Sequence, residues 1–217
     1  MLELESTHVP KTAGISFLSV LRHWYGEPHV GVQTRVHGSA VSFRTTVMHG
    51  HFPAGTYRAR QRVVWLRDPA WRLISHYHYL RYQQPPGSPA NDEYEIHCRL
   101  WSGSMELDEF VRAPELQRSQ AAWLGDLSLD DFDFVGIQEN FDRELGRLAT
   151  VLDKPAISVD GGENRTVAPQ YAAFKRDLDP ALLDEIRALH PECCELYAEA
   201  KRRADAWWAE RDRIAAA

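Results

Sequence analysis

Val63-Val64-Trp65-Leu66-Arg67-Asp68-Pro69 is the stretch of sequence that decides the fold. Its first four residues are apolar, and most are β-branched or aromatic, which predicts a buried strand. Asp68 is a favourable N-cap and Pro69 a favourable first helical residue, so a helix should begin at once and run to about Tyr82. The stretch therefore predicts a strand that leads through Arg67 directly into a helix.

The same alternation of strands and helices extends in both directions. Toward the N-terminus we predict a strand over residues 2–9, a helix over roughly 15–25 and a strand over 45–48. Toward the C-terminus we predict short helices over 105–112 and 115–124, a strand over 132–137, and helices over 140–152, from Asp179 to about His190, and from Pro191 onward. This order indicates an α/β fold with a central, mainly parallel sheet flanked by helices on both faces. The 217 residues fit a single domain over 1–217.

Composition narrows the class of protein. The chain has 31 acidic and 25 basic residues and a formal net charge of −6, which argues against a nucleic-acid partner. Cys98, Cys193 and Cys194 suggest neither a disulfide framework nor a metal site. No stretch approaches the roughly 20 apolar residues that span a bilayer, and the acidic N-terminus is unlike a signal peptide. We expect a soluble, cytoplasmic protein without a membrane span.

The segment Val9-Pro10-Lys11-Thr12-Ala13-Gly14-Ile15-Ser16-Phe17 joins the first predicted strand to the first predicted helix. Free N–H groups at such a junction suit a phosphate or sulfate group. Lys11 adds a cation, Thr12 and Ser16 add hydroxyl groups, and Ala13 with Gly14 allows close approach. The segment lacks the glycine before the lysine that nucleoside triphosphatases carry. An ordinary turn with an exposed lysine is an equal alternative.

A second anion site is predicted where the strand ending at Leu66 meets its helix. Arg67 lies at the carboxyl end of that strand, where α/β folds bind ligands, and Ser75 follows about two helical turns later. Together they suit a phosphate group. Alternatively, Arg67 pairs with Asp68 or Asp131, or Arg72 is the anion ligand, although Arg72 has the features of a solvated helix residue.

The third segment is Met48-His49-Gly50-His51-Phe52. Histidines at positions i and i+2 of a strand end project to the same side. One interpretation is a catalytic base with a helper, since the pKa of histidine suits base catalysis near neutral pH. Two others stay open: a pair of metal ligands that lacks an identified third ligand, and two surface histidines.

The three segments together resemble the sulfotransferases that use 3′-phosphoadenosine-5′-phosphosulfate (PAPS), of the Golgi carbohydrate type and their bacterial relatives. The pattern is close to that of the uronosyl 2-O-sulfotransferases. Residues 8–17 resemble the family's 5′-phosphosulfate loop, residues 66–80 its 3′-phosphate motif, and residues 49–51 the His-Gly-His between them. Weaker similarities follow at 119–125, 134–145 and 164–166. Two departures are Ile15, where threonine is common, and an unusually polar first strand.

The resemblance implies a P-loop-like three-layer fold and sulfuryl transfer from PAPS to a hydroxyl acceptor on a glycan or small molecule, with 3′,5′-adenosine bisphosphate as product. It implies His51 as catalytic base, His49 as its partner or an acceptor ligand, and Lys11 as the group that stabilises the leaving nucleotide, with no metal. The implied donor-binding residues are Lys11, Thr12, Ala13, Gly14, Ser16 and Phe17 for the 5′ end, Arg67 and Ser75 for the 3′-phosphate, and Arg165.

Two other functions remain open. The first is an ATP-dependent kinase or phosphotransferase, which would need a glycine-rich loop and a magnesium-binding aspartate such as Asp68. The second is a non-catalytic nucleotide-binding protein. The alternating Arg58, Arg60 and Arg62 either meet an anionic glycan or form a solvated edge.

Overall fold

A computed structural model describes residues 1–33, 42–86, 94–116, 118–158 and 169–216. The strands are β1 (Leu2–Thr7), β2 (Val30–Gln33), β3 (Val47–Gly50), β4 (Ala59–Leu66) and β5 (Phe134–Ile137). The α-helices are α1 (Gly14–Tyr25), α2 (Pro69–Tyr82), α3 (Tyr94–Ser102), α4 (Leu107–Arg112), α5 (Phe141–Val151), α6 (Pro169–Arg176), α7 (Pro180–Leu189) and α8 (Pro191–Ala215). In the described part of the chain, no helix has both the length and the apolar composition that crossing a bilayer requires.

The strands form one sheet in the order β2-β3-β1-β4-β5. Every pairing between neighbours is parallel, with Thr7 of β1 opposite Gly50 of β3 and Val64 of β4. The central strand β1 is therefore flanked by β3 and β4, and the carboxyl ends of all three meet at one edge. The predicted α/β fold with a parallel central sheet is confirmed.

Helices cover both faces of the sheet. On one face, Phe17 of α1 and Leu145 of α5 pack against Trp65 of β4. On the other face, Ala200 and neighbouring residues of α8 pack against Val64. A further cluster surrounds α2 and joins it to α3, α4 and α7. The predicted three layers are thus present, and α2 anchors a helical layer beside the carboxyl ends of the strands.

The junction from β4 to α2 follows the predicted local chemistry. The carboxylate of Asp68 accepts a hydrogen bond from the backbone N–H of Trp71, and Pro69 begins the helix. The second carboxylate oxygen of Asp68 accepts two hydrogen bonds from Arg187 of α7. The cap fixes where α2 begins, and Arg67 therefore lies at the edge of the sheet where the parallel strands have their carboxyl ends.

The polar character of β1 has a structural reason. Glu5 is buried and pairs with Arg62 of β4, with 3.0 Å between Oε2 and Nε. The same carboxylate accepts hydrogen bonds from the backbone N–H groups of Gly55 and Tyr57. A buried charge is tolerated because it is paired and fully hydrogen-bonded.

Several predicted bounds differ from the structure. The strand predicted over 45–48 lies at Val47–Gly50, and the helix predicted over 115–124 is instead two short 3₁₀ segments, Pro114–Leu116 and Ala121–Leu124. Between these segments, the side chain of Gln120 exchanges hydrogen bonds with the backbone N–H and carbonyl of Arg67. This contact bends the chain toward the end of β4 and breaks the helix. Strand β2 and helices α3 and α6 were not predicted.

Candidate functional site

The loop between β1 and α1 has an unusual backbone. Lys11 and Ala13 adopt left-handed conformations, with φ of 71° and 65°, which is uncommon for residues other than glycine. Helix α1 begins at Gly14. Its first turn is closed by a hydrogen bond from the backbone N–H of Phe17 to the carbonyl of Ala13. The amides of the first helical turn therefore lack intrahelical acceptors, as at any helix start. Strained backbone of this kind is common at ligand-binding sites.

Lys11 lies in a partly desolvated position. Its ammonium group lies over the ring of Tyr79 from α2, at 3.8 Å from the ring centroid. Burial, together with the nearby charge of Arg67, lowers the pKa of Lys11 to about 8. Among the described residues, no carboxylate pairs with Lys11. A bound anion would stabilise the charged form of Lys11, because a nearby negative charge favours protonation of an ammonium group.

Arg67 is the second cation of the site, and its side chain donates hydrogen bonds to neutral groups of the described residues. Its NH1 donates to the carbonyl oxygen of Lys11 at 3.2 Å, and its NH2 donates to the hydroxyl oxygen of Tyr171 at 3.3 Å. Its buried Nε has no hydrogen-bond acceptor in the described part of the chain. The expected alternative, an ion pair with Asp68 or Asp131, is wrong, since Asp68 binds Arg187 and Asp131 accepts from Ser128.

Ser75 adds an unused hydroxyl group. The residue is 1% exposed, and its Oγ has no hydrogen-bond partner among the described residues. Tyr79 follows four positions later on α2, so the two side chains lie on the same face of that helix. Because the Tyr79 ring supports Lys11, this face of α2 points toward the loop. We call Lys11, Arg67, Ser75 and Tyr79 the Lys11–Arg67 cluster.

Arg72 differs from its sequence-based interpretation. It was expected to be a solvated helix residue, but it is 1% exposed and donates through NH2 to the hydroxyl of Ser119. Arg72 is therefore covered by the segment that carries Ser119 and Gln120, and its side chain holds this segment against α2.

His49 is a buried member of the site, at 3% exposure. Its Nε2 lies 3.0 Å from the carbonyl oxygen of Gly14, which can only accept, so Nε2 carries the proton. Its Nδ1 then accepts from the hydroxyl of Ser6 at 2.7 Å. Burial, followed by the charge of His51, lowers the pKa of His49 to about 3. His49 is therefore a neutral side chain that ties β1 and β3 to the start of α1.

His51 holds the opposite tautomer and is more exposed. Its Nδ1 lies 2.8 Å from the backbone carbonyl oxygen of His8 and must donate to it. In the neutral ring this leaves Nε2 as the basic nitrogen. Gly50 separates the two histidines, and a Cβ at that position would lie 2.0 Å from the carbonyl oxygen of Gln33. The close packing of β2 on β3 thus requires the glycine.

His8 belongs to the same group and was missed by sequence reasoning. Its ring stacks on the ring of His51 with centroids 4.3 Å apart, and on that of His49 at 5.2 Å. The register of β1 against β3, in which Ser6 faces His49, brings these side chains together. Among the described residues, no group of three or more His, Cys, Asp or Glu side chains has an arrangement suited to a metal ion.

The remaining predicted residues lie at different depths. Thr12 is 1% exposed, and its hydroxyl donates to the carbonyl of Val9 at 2.8 Å. Ser16 is also buried, in the first turn of α1. Phe17 is fully buried and packs edge-on against His49 and Trp65, which gives its side chain a packing role. Arg165 lies outside the described residues.

Arg58 directly precedes β4, Arg60 is its second residue and Arg62 its fourth, whereas Arg67 follows its carboxyl end. At about 3.3 Å per residue, Arg60 lies roughly 20 Å from Arg67 along the strand. Arg62 contacts Glu5, and Arg60 is exposed. These three arginines therefore do not join the Lys11–Arg67 cluster.

Neither a protein-family model nor a curated protein matches the sequence. Among solved structures, the chain is similar to mouse sulfotransferase SULT7A1 complexed with PAP, with 12% identity, a TM-score of 0.43, and coverage of 94% of this chain and 88% of that one. It is also similar to a sulfotransferase from Alicyclobacillus acidocaldarius, with 14% identity, a TM-score of 0.45, and coverage of 95% and 98%. At this level of similarity, function has to be inferred from the residues of the chain itself.

Proposed function

We propose that the chain is a sulfotransferase that moves a sulfuryl group from PAPS to a hydroxyl acceptor. The observation that carries the proposal is the pair Lys11 and Arg67: the Arg67 side chain binds the backbone carbonyl of Lys11, its charge acts on the Lys11 ammonium group, and neither cation has a carboxylate partner among the described residues. The order of the three sequence segments, 8–17, 49–51 and 66–80, supports PAPS as the anion.

The chemical groups of the Lys11–Arg67 cluster fit such a donor. Among the described residues, the Arg67 Nε and the Ser75 hydroxyl are buried without a hydrogen-bond partner, and the Lys11 ammonium group is partly buried beside the charge of Arg67. Phosphate and sulfate groups present acceptor oxygens only, and arginine binds them well through its fork of N–H groups. Arg67 and Ser75 would hold the 3′-phosphate, while Lys11 and the amides of residues 14–16 would hold the 5′-phosphosulfate end.

The histidines supply the acid–base chemistry. When bound, PAPS supplies an activated sulfuryl group whose bond to a phosphate oxygen breaks on transfer. His51 Nε2 accepts the proton of the acceptor hydroxyl as the hydroxyl oxygen bonds to sulfur. Lys11 stabilises the negative charge left on the phosphate oxygen of the departing bisphosphate. His49 keeps β3 and α1 in register, because its two nitrogens already bind Ser6 and Gly14.

An ATP-dependent kinase is less compatible with the chemistry of Asp68, the aspartate considered for magnesium. One oxygen of its carboxylate caps α2 and the other binds Arg187. Recruiting Asp68 to a metal would break a helix cap, which typically stabilises by about 1 kcal/mol, together with an ion pair.

The proposal is tested by incubating the protein with radiolabelled PAPS and a panel of glycans, phenols and small alcohols. We expect transfer to at least one hydroxyl class by the wild type and strongly reduced transfer by Lys11→Ala. Binding of the bisphosphate without transfer to any acceptor would favour a nucleotide-binding protein and overturn the proposal. Phosphoryl transfer from ATP with magnesium, without sulfuryl transfer, would overturn it in favour of a kinase.

A further inference from the structure

The ring of His8 occupies a place built for it. It lies nearly parallel to both neighbouring rings, with interplanar angles of 15° to His49 and 23° to His51. His49 is locked by Ser6 and Gly14 and is buried. His8 therefore stacks on a fixed ring and on the partly exposed ring that we assign as the base.

Space for this ring comes from the first residue of α1. A Cβ added to Gly14 would lie 1.9 Å from Nε2 of His8 and within 2.2 Å of two other ring atoms. Gly14 does not have a positive φ, so its backbone conformation does not itself require glycine. Glycine is thus required here by the approach of the His8 ring, although alanine would otherwise favour a helix.

The backbone of His8 also contacts β3 and the segment after it. Its N–H donates to the carbonyl of Gly50 at 2.8 Å, and its carbonyl accepts from Nδ1 of His51. One residue therefore contacts His51 twice, through its ring and through its carbonyl. A hydrogen bond to one ring nitrogen of a catalytic histidine fixes its tautomer and its orientation, and so sets which nitrogen faces the substrate.

We propose that His8 is a positioning residue for the sulfuryl transfer described above, and that its ring and carbonyl hold His51 with the proton on Nδ1 and Nε2 turned to the acceptor. This inference rests on the proposed function. Burial, and then the charges of His51, His49 and Lys11, lower the pKa of His8 well below its usual value. The ring therefore acts as a neutral flat surface and not as a proton donor.

Kinetics with two substitutions test the role of the ring. His8→Ala removes the surface on which His51 stacks, and we expect turnover to fall about tenfold or more, since small misplacements of catalytic groups have effects of this order. The KM for PAPS should stay within about twofold, because the Lys11–Arg67 cluster is untouched. His8→Phe restores a flat ring and should recover most of the turnover. The control is His23→Ala, which removes an exposed imidazole from α1 and should change nothing.

The contact between His8 and Gly14 gives a further test. Gly14→Ala should lower turnover by displacing the His8 ring, and adding it to His8→Ala should cause little further loss, because contacting residues couple. Multiplicative losses in the double variant would overturn the proposal. So would unchanged turnover in His8→Ala, or a His8→Phe variant as slow as His8→Ala.

Nuclear magnetic resonance of the His51 ring nitrogens separates this inference from the proposed function, because it needs no PAPS. We expect one tautomer of His51, protonated on Nδ1, in the wild type, in His8→Phe and in His8→Ala, because the carbonyl of residue 8 stays in place. In His8→Ala, which lacks the stacked ring, the His51 ring signals should shift and broaden, and in His8→Phe they should stay sharp. Sharp and unshifted His51 signals in His8→Ala would overturn the inference even if the enzyme transfers sulfuryl groups. An absence of sulfuryl transfer would overturn the proposed function and leave the spectra to decide the role of His8.

Discussion

Arg67 donates a hydrogen bond to the carbonyl oxygen of Lys11 across 3.2 Å. The residue directly after β4 is thereby tied to the loop that follows β1, and the adjacency of these two strands makes the contact possible. Because the contact uses a neutral carbonyl, it brings the two positive charges together without cancelling either. Their mutual repulsion contributes to the lowered pKa of Lys11, and a bound anion would relieve it.

The opposite tautomers of the two histidines predict different kinetic effects. His51→Ala should lower turnover about a hundredfold or more, because general-base help is worth roughly 10²–10⁴ in rate, while affinity for 3′,5′-adenosine bisphosphate stays near that of the wild type. Steady-state kinetics measure the turnover, and calorimetry measures the affinity for the bisphosphate. Turnover at the wild-type level in His51→Ala would remove this residue from the mechanism.

Lys11 predicts a pH dependence of nucleotide binding. With a pKa of about 8 in the free protein, Lys11 is charged below that pH and neutral above it, so the affinity for the bisphosphate should fall as the pH rises. Between about pH 7 and pH 9 the dissociation constant should rise about tenfold. Lys11→Arg is the matched control, since arginine stays charged and should give a flat profile. The same rise in both proteins would show that another group titrates.

Ser75 predicts a separation of stability from binding. Its buried hydroxyl has no partner among the described residues, so Ser75→Ala should leave the melting temperature unchanged or raise it slightly. The same change should weaken bisphosphate binding about tenfold, since a hydrogen bond to a charged group is worth roughly 1.5–3 kcal/mol. Calorimetry and thermal unfolding of one preparation measure both. A destabilised variant with normal affinity would make Ser75 a structural residue only.

His49 predicts a loss of stability in acid. Its pKa of about 3 lies below the ordinary 6.5, so from pH 6.5 downward the unfolded state binds more protons than the folded state, and stability falls across that window. His49→Gln keeps one donor and one acceptor but does not titrate. It should lose less melting temperature than the wild type between about pH 7 and pH 4.

His78 also has a lowered pKa, to which His49 does not contribute, so the wild type and His49→Gln share its effect. The pKa of His8 is lowered first by burial, which the substitution leaves in place, and then partly by the charge of His49. The difference between the two proteins therefore reports on His49 together with its effect on His8. Parallel losses of melting temperature in acid would contradict the lowered pKa that burial gives His49.

Local chemistry made part of the fold predictable. Neighbouring residues predict a strand that ends at Leu66, a cap at Asp68 and a helix to Tyr82. The structure has the strand end at Leu66, Asp68 as the cap and the helix at Pro69–Tyr82. The break near Gln120 was not predictable, because it depends on hydrogen bonds to Arg67 across 53 positions of the chain. Propensity alone favours a helix there, and the long-range contact overrides it.

The candidate site was predictable to a similar extent. Lys11 and Arg67 were suggested by their positions at strand ends, and their contact follows from the strand order. His8 was missed because its meeting with His51 depends on the register of β1 against β3, which a single sequence does not reveal. Tyr171 was missed for the same kind of reason, since its hydroxyl reaches Arg67 from α6, 104 positions away.

Calorimetric titration with 3′,5′-adenosine bisphosphate, without metal, tests the central claim most directly. The wild type should bind this nucleotide and prefer it to ATP with magnesium. Arg67→Ala should bind it about tenfold to hundredfold more weakly, while Arg60→Ala, which removes an equal charge from the far end of the same strand, should bind it normally. No binding by the wild type, or equal weakening by both substitutions, would contradict a nucleotide site built on Lys11 and Arg67.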